Sequence, residues 1–142
     1  MSGIDRLFSG MRASSTGLAA ERTRIDVIAE NIANARTTRT PGGGPYRRKM
    51  VRFEPILREV GGDSRAAGVR AAGIESDYQT PFDVVHDPGH PDRDAEGFVR
   101  FPNVSTVMEM TDLITAMRAY EANLTVQQNF MQMAERALQV AR

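Results

Sequence analysis

Apolar side chains recur every seven residues at both ends of the chain and lose that rhythm between them. Near the start, Met11, Leu18, Ile25 and Ile32 form one series, with Leu7, Ser14, Glu21, Ile28 and Ala35 interleaved three and four apart. This spacing places a stripe on one helix face and predicts a helix over about residues 3–35. Ser14 and Glu21 interrupt the second series, so the seam is strongest at Ile25, Ile28 and Ile32. Ser2, followed three residues later by Asp5, fits an N-terminal cap. Gly3, Gly10 and Gly17 lie seven apart on one face. A glycine inside a helix costs about 1 kcal/mol relative to alanine, and the expected compensation is another element packed tightly against that face.

The far end carries a longer pattern. Met110, Met117, Leu124, Met131 and Leu138 form an unbroken series, interleaved with Leu113, Tyr120, Gln127, Ala134 and Ala141. No Gly or Pro follows Pro102, so one helix is expected from about Val104 to Arg142, roughly 58 Å long at the standard rise. A second stripe, Val126, Phe130, Met133, Ala137 and Val140, lies near its end. A helix apolar on two faces needs cover on both. A partner helix of the same chain covers one, so neighbours from other chains are expected on the other.

Residues 41–102 are rich in Gly and Pro, with strand-like runs at Tyr46–Phe53, Val69–Glu75, Pro81–His86 and Phe98–Phe101. The fold class expected is mainly α: two long antiparallel terminal helices form a coiled-coil-like pair, with a small β-rich middle lobe. The parts are an N-terminal helix over 1–40, the lobe over 41–102 and a C-terminal helix over 103–142. About 60 residues give only a marginal core of their own, so the lobe should be braced by the helices. One detail resists this scheme. Asn31 and Asn34 sit in the last turns of the first helix, although asparagine competes for backbone groups there. Local C-capping is one explanation. Register-setting and bonding between subunits is the other, and the one favoured here.

Composition narrows the function. Formal charge is zero and cysteine is absent, which removes thiolate metal sites and gives no global attraction to nucleic acid. No apolar run is long enough to span a membrane, and the first residues lack the core of a secretory signal peptide. His86, Asp87, His90, Asp92 and Asp94 resemble metal ligands, but Pro88, Gly89 and Pro91 forbid the helix that would align the two histidines. A Pro-Gly turn explains the string, so no metal and no cofactor are expected. Gly42–Gly44 lacks the Lys-Ser/Thr of a phosphate loop, and no nucleophile–base pair or G-x-S-x-G elbow supports an enzyme. Arg36, Arg39, Arg47, Arg48, Lys49 and Arg52 form a basic segment, while Asp83, Asp87, Asp92, Asp94 and Glu96 form an acidic one. Complementary pairing is expected between Arg47, Arg48, Lys49 and Asp92, Asp94, within the chain or between subunits.

The motif LAAERTRIDVIAENIANARTT resembles the N-terminal signature of flagellar rod and hook proteins, with Glu30 where that signature commonly has asparagine. GPYRRKMVRFEPIL, DPGHPDRDAEGFVRFPNV and EMTDLITAMRAYEANL are similar, in that order, to a proximal-rod branch of the same family, with Met108 where an acid is usual. The resemblance implies a non-enzymatic structural subunit of the proximal rod of the bacterial flagellar basal body. Such a subunit crosses the flagellar type III export apparatus without a cleaved signal peptide and packs helically in the periplasm to transmit motor torque. It implies contacts with copies of itself, other rod proteins, the membrane ring and the rod-base adaptor, with no nucleic acid and no membrane insertion. The assembly residues expected are the seam positions Met11, Leu18, Ile25, Ile28, Ile32, Met110, Leu113, Met117, Tyr120, Leu124, Met131 and Leu138. Asn31, Asn34, Arg47, Arg48, Lys49, Asp92 and Asp94 are the expected polar contacts between subunits. The alternative reading is a small coiled-coil-stemmed module that binds metal or nucleic acid.

Overall fold

A computed structural model describes residues 3–60 and 63–140; the cap expected at Ser2 and the interleaved Ala141 lie outside them. Helix α1 spans Gly3–Ala33 and helix α2 spans Thr106–Val140. Between them, strands β1 (Lys49–Val60) and β2 (Asp63–Ser76) form one antiparallel pair. Strands β3 (Asp83–His86) and β4 (Phe98–Phe101) form another. The middle is therefore two separate two-stranded ribbons, and the first is far longer than the short runs of the sequence pattern. Small residues explain this. Ala66, Ala67, Gly68, Ala71, Ala72 and Gly73 carry little strand propensity, yet they let the ribbon lie close to a helix.

Each boundary has a local cause. Asn34 closes α1: its backbone N–H and its side-chain Nδ2 both donate to the Glu30 carbonyl, at 3.0 and 2.9 Å. Thr37 Oγ1 then donates to Asn34 Oδ1 at 3.1 Å. This is the local capping alternative, with each of these bonds inside one turn. Gly43 and Gly44 take φ of +84° and +75°, a region that side chains disfavour, so that Thr40 and Gly44 can close the turn. Ser105 opens α2, accepting the Glu109 N–H at 2.9 Å.

The face that α1 shows to α2 is not the one that the apolar series marks. A Cβ added at Gly10 would lie 2.6 Å from the tip of the Phe130 ring, and one at Gly17 would lie 3.1 Å from the Asn123 amide. Asn31 bonds to Glu109. Partner numbers fall along α2 as they rise along α1. The contacts fall on Gly10, Gly17 and Asn31 in α1 and on Glu109, Asn123 and Phe130 in α2, with fully buried Ala116 in the same α2 row. These rows sit one residue before Met11–Ile32 and Met110–Leu138, a rotation of about 100°. Within the chain, then, Met110, Met117, Leu124, Met131 and Leu138 do not face α1; they are 39–70% exposed. Met11, Leu18, Ile25, Ile32, Leu113 and Tyr120 are half-buried flanks, and Ile28 is buried. Phe130, from the second stripe, is the residue that turns inward. The physical reason is reach: glycine and alanine rows let two helices approach, and larger side chains then pack around the line of contact.

The long ribbon lies against α1. Thr16 Oγ1 donates to the Ala13 carbonyl at 2.8 Å and accepts the Val69 N–H at 3.2 Å. Gly68 has no room for a side chain, since an added Cβ would strike that hydroxyl. We predict that Gly68→Ala lowers stability by about 1–3 kcal/mol through overpacking. Thr16→Ala in the same chain should recover most of that loss, which chemical denaturation of the four-member mutant cycle would measure.

Candidate functional site

Asn31, 1% exposed at the foot of both helices, is the side chain with the most hydrogen bonds among the described residues. Its Nδ2 donates to the Lys49 carbonyl at 2.9 Å and to Glu109 Oε2 at 3.0 Å. Its Oδ1 accepts the Lys49 N–H and the Tyr46 hydroxyl, both at 2.9 Å. That is the full capacity of a side-chain amide. Glu109, completely buried, receives Arg48 Nε at 2.6 Å on its other oxygen. Arg48 also reaches Asp112 Oδ2 at 3.5 Å, and Lys49 Nζ reaches Glu30 Oε1 at 2.6 Å. The residue that departs from the usual signature, Glu30, thus anchors the chain's one lysine. Asn103 ties the next layer: its Oδ1 accepts the Arg48 N–H, and its Nδ2 donates to the carbonyls of Asp77 and Thr80.

All four bonds of Asn31 are made within the chain. Asn34 is likewise used locally. Among the described residues of the single chain, Arg47, Arg48 and Lys49 do not pair with Asp92 or Asp94. Arg48 and Lys49 pair with Glu109 and Glu30, while Arg47 donates to the Asp77 carbonyl and stacks over Phe82 and Tyr78, at 4.1 and 4.7 Å. Asp94 accepts the N–H groups of Glu96 and Phe98. One strand of the expectation has a counterpart: Asp92 meets the basic segment through Arg39 at 3.4 Å and the Thr38 hydroxyl at 2.8 Å. Sequence reasoning missed Glu109, Tyr46 and Asn103. The signal available was the row Asn31–Gly17–Gly10, which put an amide on the glycine face and called for a polar partner on the opposite helix.

The histidine loop is a folded turn. His86 packs edge-on against Phe98 at 5.0 Å, and His90 against Phe101 at 5.8 Å. His90 Nδ1 accepts the Asp92 N–H at 3.0 Å. Among the described residues no group of three or more His, Asp or Glu side chains converges on a metal position. Asp77 closes the adjacent turn. The hydroxyl and the N–H of Thr80 hold its carboxyl below the usual carboxylate range.

The other extended feature is the outer side of α2. Val107, Met110, Ile114, Met117, Leu124, Met131 and Leu138 are all exposed along it. Glu121, Gln128 and Glu135 interrupt this row; scattered apolar side chains are ordinary on a surface, whereas an aligned row is a candidate interaction site.

Two outcomes follow for the polar centre. Asn31→Ala strands several buried groups, including Glu109, and should cost on the order of 3–5 kcal/mol. Asn34→Ala should cost about 1 kcal/mol; urea unfolding of both proteins checks the contrast. Burial, with the nearby charges of Glu30 and Glu109, pushes the Tyr46 hydroxyl up to about 12. A phenol raised above its unfolded value of 10 stabilises the fold fully below pH 10 and loses that contribution as pH rises toward 12. Tyr46→Phe should flatten this alkaline decline in thermal melts.

Comparison with known proteins agrees with this layout. Residues 11–39, most of α1 and its cap, match the family described as "Flagella basal body rod protein". Residues 95–140, which hold β4 and α2, match the family described as "Flagellar basal body rod FlgEFG protein C-terminal". The chain is 45% identical to the flagellar basal-body rod protein FlgC of Borreliella burgdorferi, over 94% of this chain and 97% of that one. It is 38% identical to FlgC of Bacillus subtilis, over 95% and 98% of the two chains. Against FlgC of Salmonella typhimurium it is 38% identical over 80% and 81%. The chain therefore belongs to the FlgC family, structural rod subunits of the flagellar basal body.

Proposed function

We propose that this chain serves in the proximal rod, where its terminal helices form an antiparallel, coiled-coil-like pair and stack helically with neighbouring subunits to carry motor torque. The observation that supports this most directly is the outward apolar ridge of α2 from Val107 to Leu138. Its own α1 occupies a different face, so the ridge is free for the terminal helices of adjacent copies and of other rod proteins. The falling partner numbers between α1 and α2 favour the antiparallel pair. The membrane ring and the rod-base adaptor are the neighbours proposed for the end of the rod. Passage through the flagellar type III export apparatus without a cleaved signal, and a periplasmic position, complete the reading.

In this reading the seam positions take two roles. Met110, Met117, Leu124, Met131 and Leu138 serve contacts between subunits, while Ile28, Leu113 and Tyr120 support the pair within one chain. Polar contacts contribute less, because Asn31, Asn34, Arg48, Lys49 and Asp92 already have partners at home. Apolar burial is non-directional and scales with area, and the polar centre of each subunit supplies the fixed geometry that a torque-bearing lattice needs.

Leu124→Asp tests the assignment. Leu124 is 39% exposed in the single chain, so the variant should fold and be exported. In a rod the carboxylate would be buried without a partner, a penalised state, and the cells should be non-motile and lack rods by electron microscopy of basal bodies. Normal motility would remove the α2 ridge from the assembly interface.

A further inference from the structure

The chain has no cysteine and eight methionines, so its sulfur chemistry is thioether chemistry. Three of the methionines stand out by position. Met110, Met117 and Met131 lie on the outward row of α2, each 46–55% exposed. The contacts that join α1 to α2 fall on a different row, at Glu109, Asn123 and Phe130. Leu124 and Leu138 complete the outward row, so leucine and methionine share one face and only methionine offers an oxidisable atom. Exposure alone does not single out these three, because Met50, Met108 and Met133 are 41–63% exposed as well. Position does. Met50 belongs to β1. At about 100° of rotation per residue, Met108 and Met133 fall on the opposite flank of α2.

We propose that Met110, Met117 and Met131 form an oxidation site, whose modification blocks assembly and leaves the fold of the subunit intact. The inference rests on the assembly role proposed above, in which this row packs against neighbouring subunits. The co-reactant is hydrogen peroxide. A sulfur lone pair attacks one peroxide oxygen, so that an S–O bond forms as the O–O bond breaks. The proton of the transferred oxygen passes to the departing hydroxide, which leaves as water. The thioether is oxidised by two electrons to the sulfoxide, and the peroxide is reduced. The new oxygen is a hydrogen-bond acceptor. On the free chain it faces water, which supplies donors, and the buried contacts around Asn31 and Phe130 are untouched. Between packed apolar side chains it loses those donors, and burying such a group unmet is penalised. Three of them per subunit recur at each equivalent contact of a helical lattice. Timing follows from access: sulfur open in the free chain is covered once neighbours close over the row. The reaction therefore acts on subunits awaiting assembly and spares the finished rod.

The test combines mass spectrometry of the oxidised protein with variants that fix each state of the row. Dilute hydrogen peroxide should convert all three methionines of the purified chain to sulfoxides. In intact basal bodies the same three should react at least tenfold more slowly. Met110→Gln, Met117→Gln and Met131→Gln together give a polar stand-in for the oxidised row. That variant should keep the wild-type melting temperature and yield at least tenfold fewer rods by electron microscopy. The same three changes at Met50, Met108 and Met133 should leave rod formation intact. Growth in sublethal peroxide should lower rod yield in wild-type cells. Relative to its own untreated yield, Met110→Leu with Met117→Leu and Met131→Leu should resist that loss, because leucine has no sulfur. A lowered melting temperature or normal rod yield from the ridge glutamine variant would overturn the site. Equal loss from the control glutamine variant would do the same, as would an undiminished peroxide effect in the leucine variant or equal reactivity in basal bodies. Leu124→Asp, run in parallel, isolates the two ideas. Loss of rods there with normal rods in the ridge glutamine variant rejects the oxidation site alone, whereas normal rods in both reject the assembly reading beneath it.

Discussion

An asparagine side chain cannot be buried cheaply unless each of its polar atoms is met, and Asn31 is buried with all four hydrogen bonds made. They run to Tyr46 just before β1, to Lys49 at its start and to Glu109 in α2, so one amide ties α1 to two segments that are distant in sequence. Moving α2 along α1 by even one residue would carry Glu109 out of reach and leave two buried groups without partners, each worth about 1–3 kcal/mol. An apolar seam alone tolerates such slippage far better, because its energy depends mainly on area. The register of the helices, the start of the long ribbon and the placement of Arg48 all follow from this centre.

The same constraint explains which rows of the helices meet. A polar centre at the foot sets the rotation of each helix, and small residues further along let the pair close. Gly10 accommodates the Phe130 ring and Gly17 accommodates Asn123, so the glycines are seats for large partners rather than sites of weakness. Their intrinsic cost of about 1 kcal/mol each is offset by contacts that an alanine would obstruct. The larger methionines and leucines are then turned to the flanks and the outside.

Much of the architecture was legible from periodicity, because seven-residue repeats without Gly or Pro report a long helix whatever its partner. The end of α1 and the start of α2 agree with that reading within about two residues, and the turn at Asp87–Asp94 was readable from its Pro-Gly chemistry. The choice of face was not. Periodicity finds every regular stripe, but it does not say which stripe meets the chain's own partner and which meets another molecule. At Gly10, Gly17 and Ala116 the deciding property is the absence of a side chain, which hydrophobic scoring reads as no signal. The polar centre was hidden for a related reason: Asn31, Tyr46, Arg48 and Glu109 are joined only in space, and charges at Arg48 and Glu109 read individually as solvated surface. Only the middle of the long ribbon was legible, as the runs Tyr46–Phe53 and Val69–Glu75, because the start of its second strand is rich in alanine, glycine and arginine, residues whose strand state depends on the helix beside it.

Separating polar specificity from apolar affinity suits the assembly proposed above, in which each subunit packs against its neighbours. If the inner seam were the most apolar stripe, the outer face would have to be polar to keep the single chain soluble, and little would drive stacking. Here the order is reversed: compact polar and small-residue contacts hold the chain together, and the methionine-rich stripe remains outside. Methionine is flexible and polarizable, so it adapts to neighbours that are not identical, a useful property if, as proposed, one subunit meets both its own copies and different rod proteins. In the proposed rod, rigidity comes from the buried amide and carboxylate in each subunit, and cohesion from the adaptable surface between subunits.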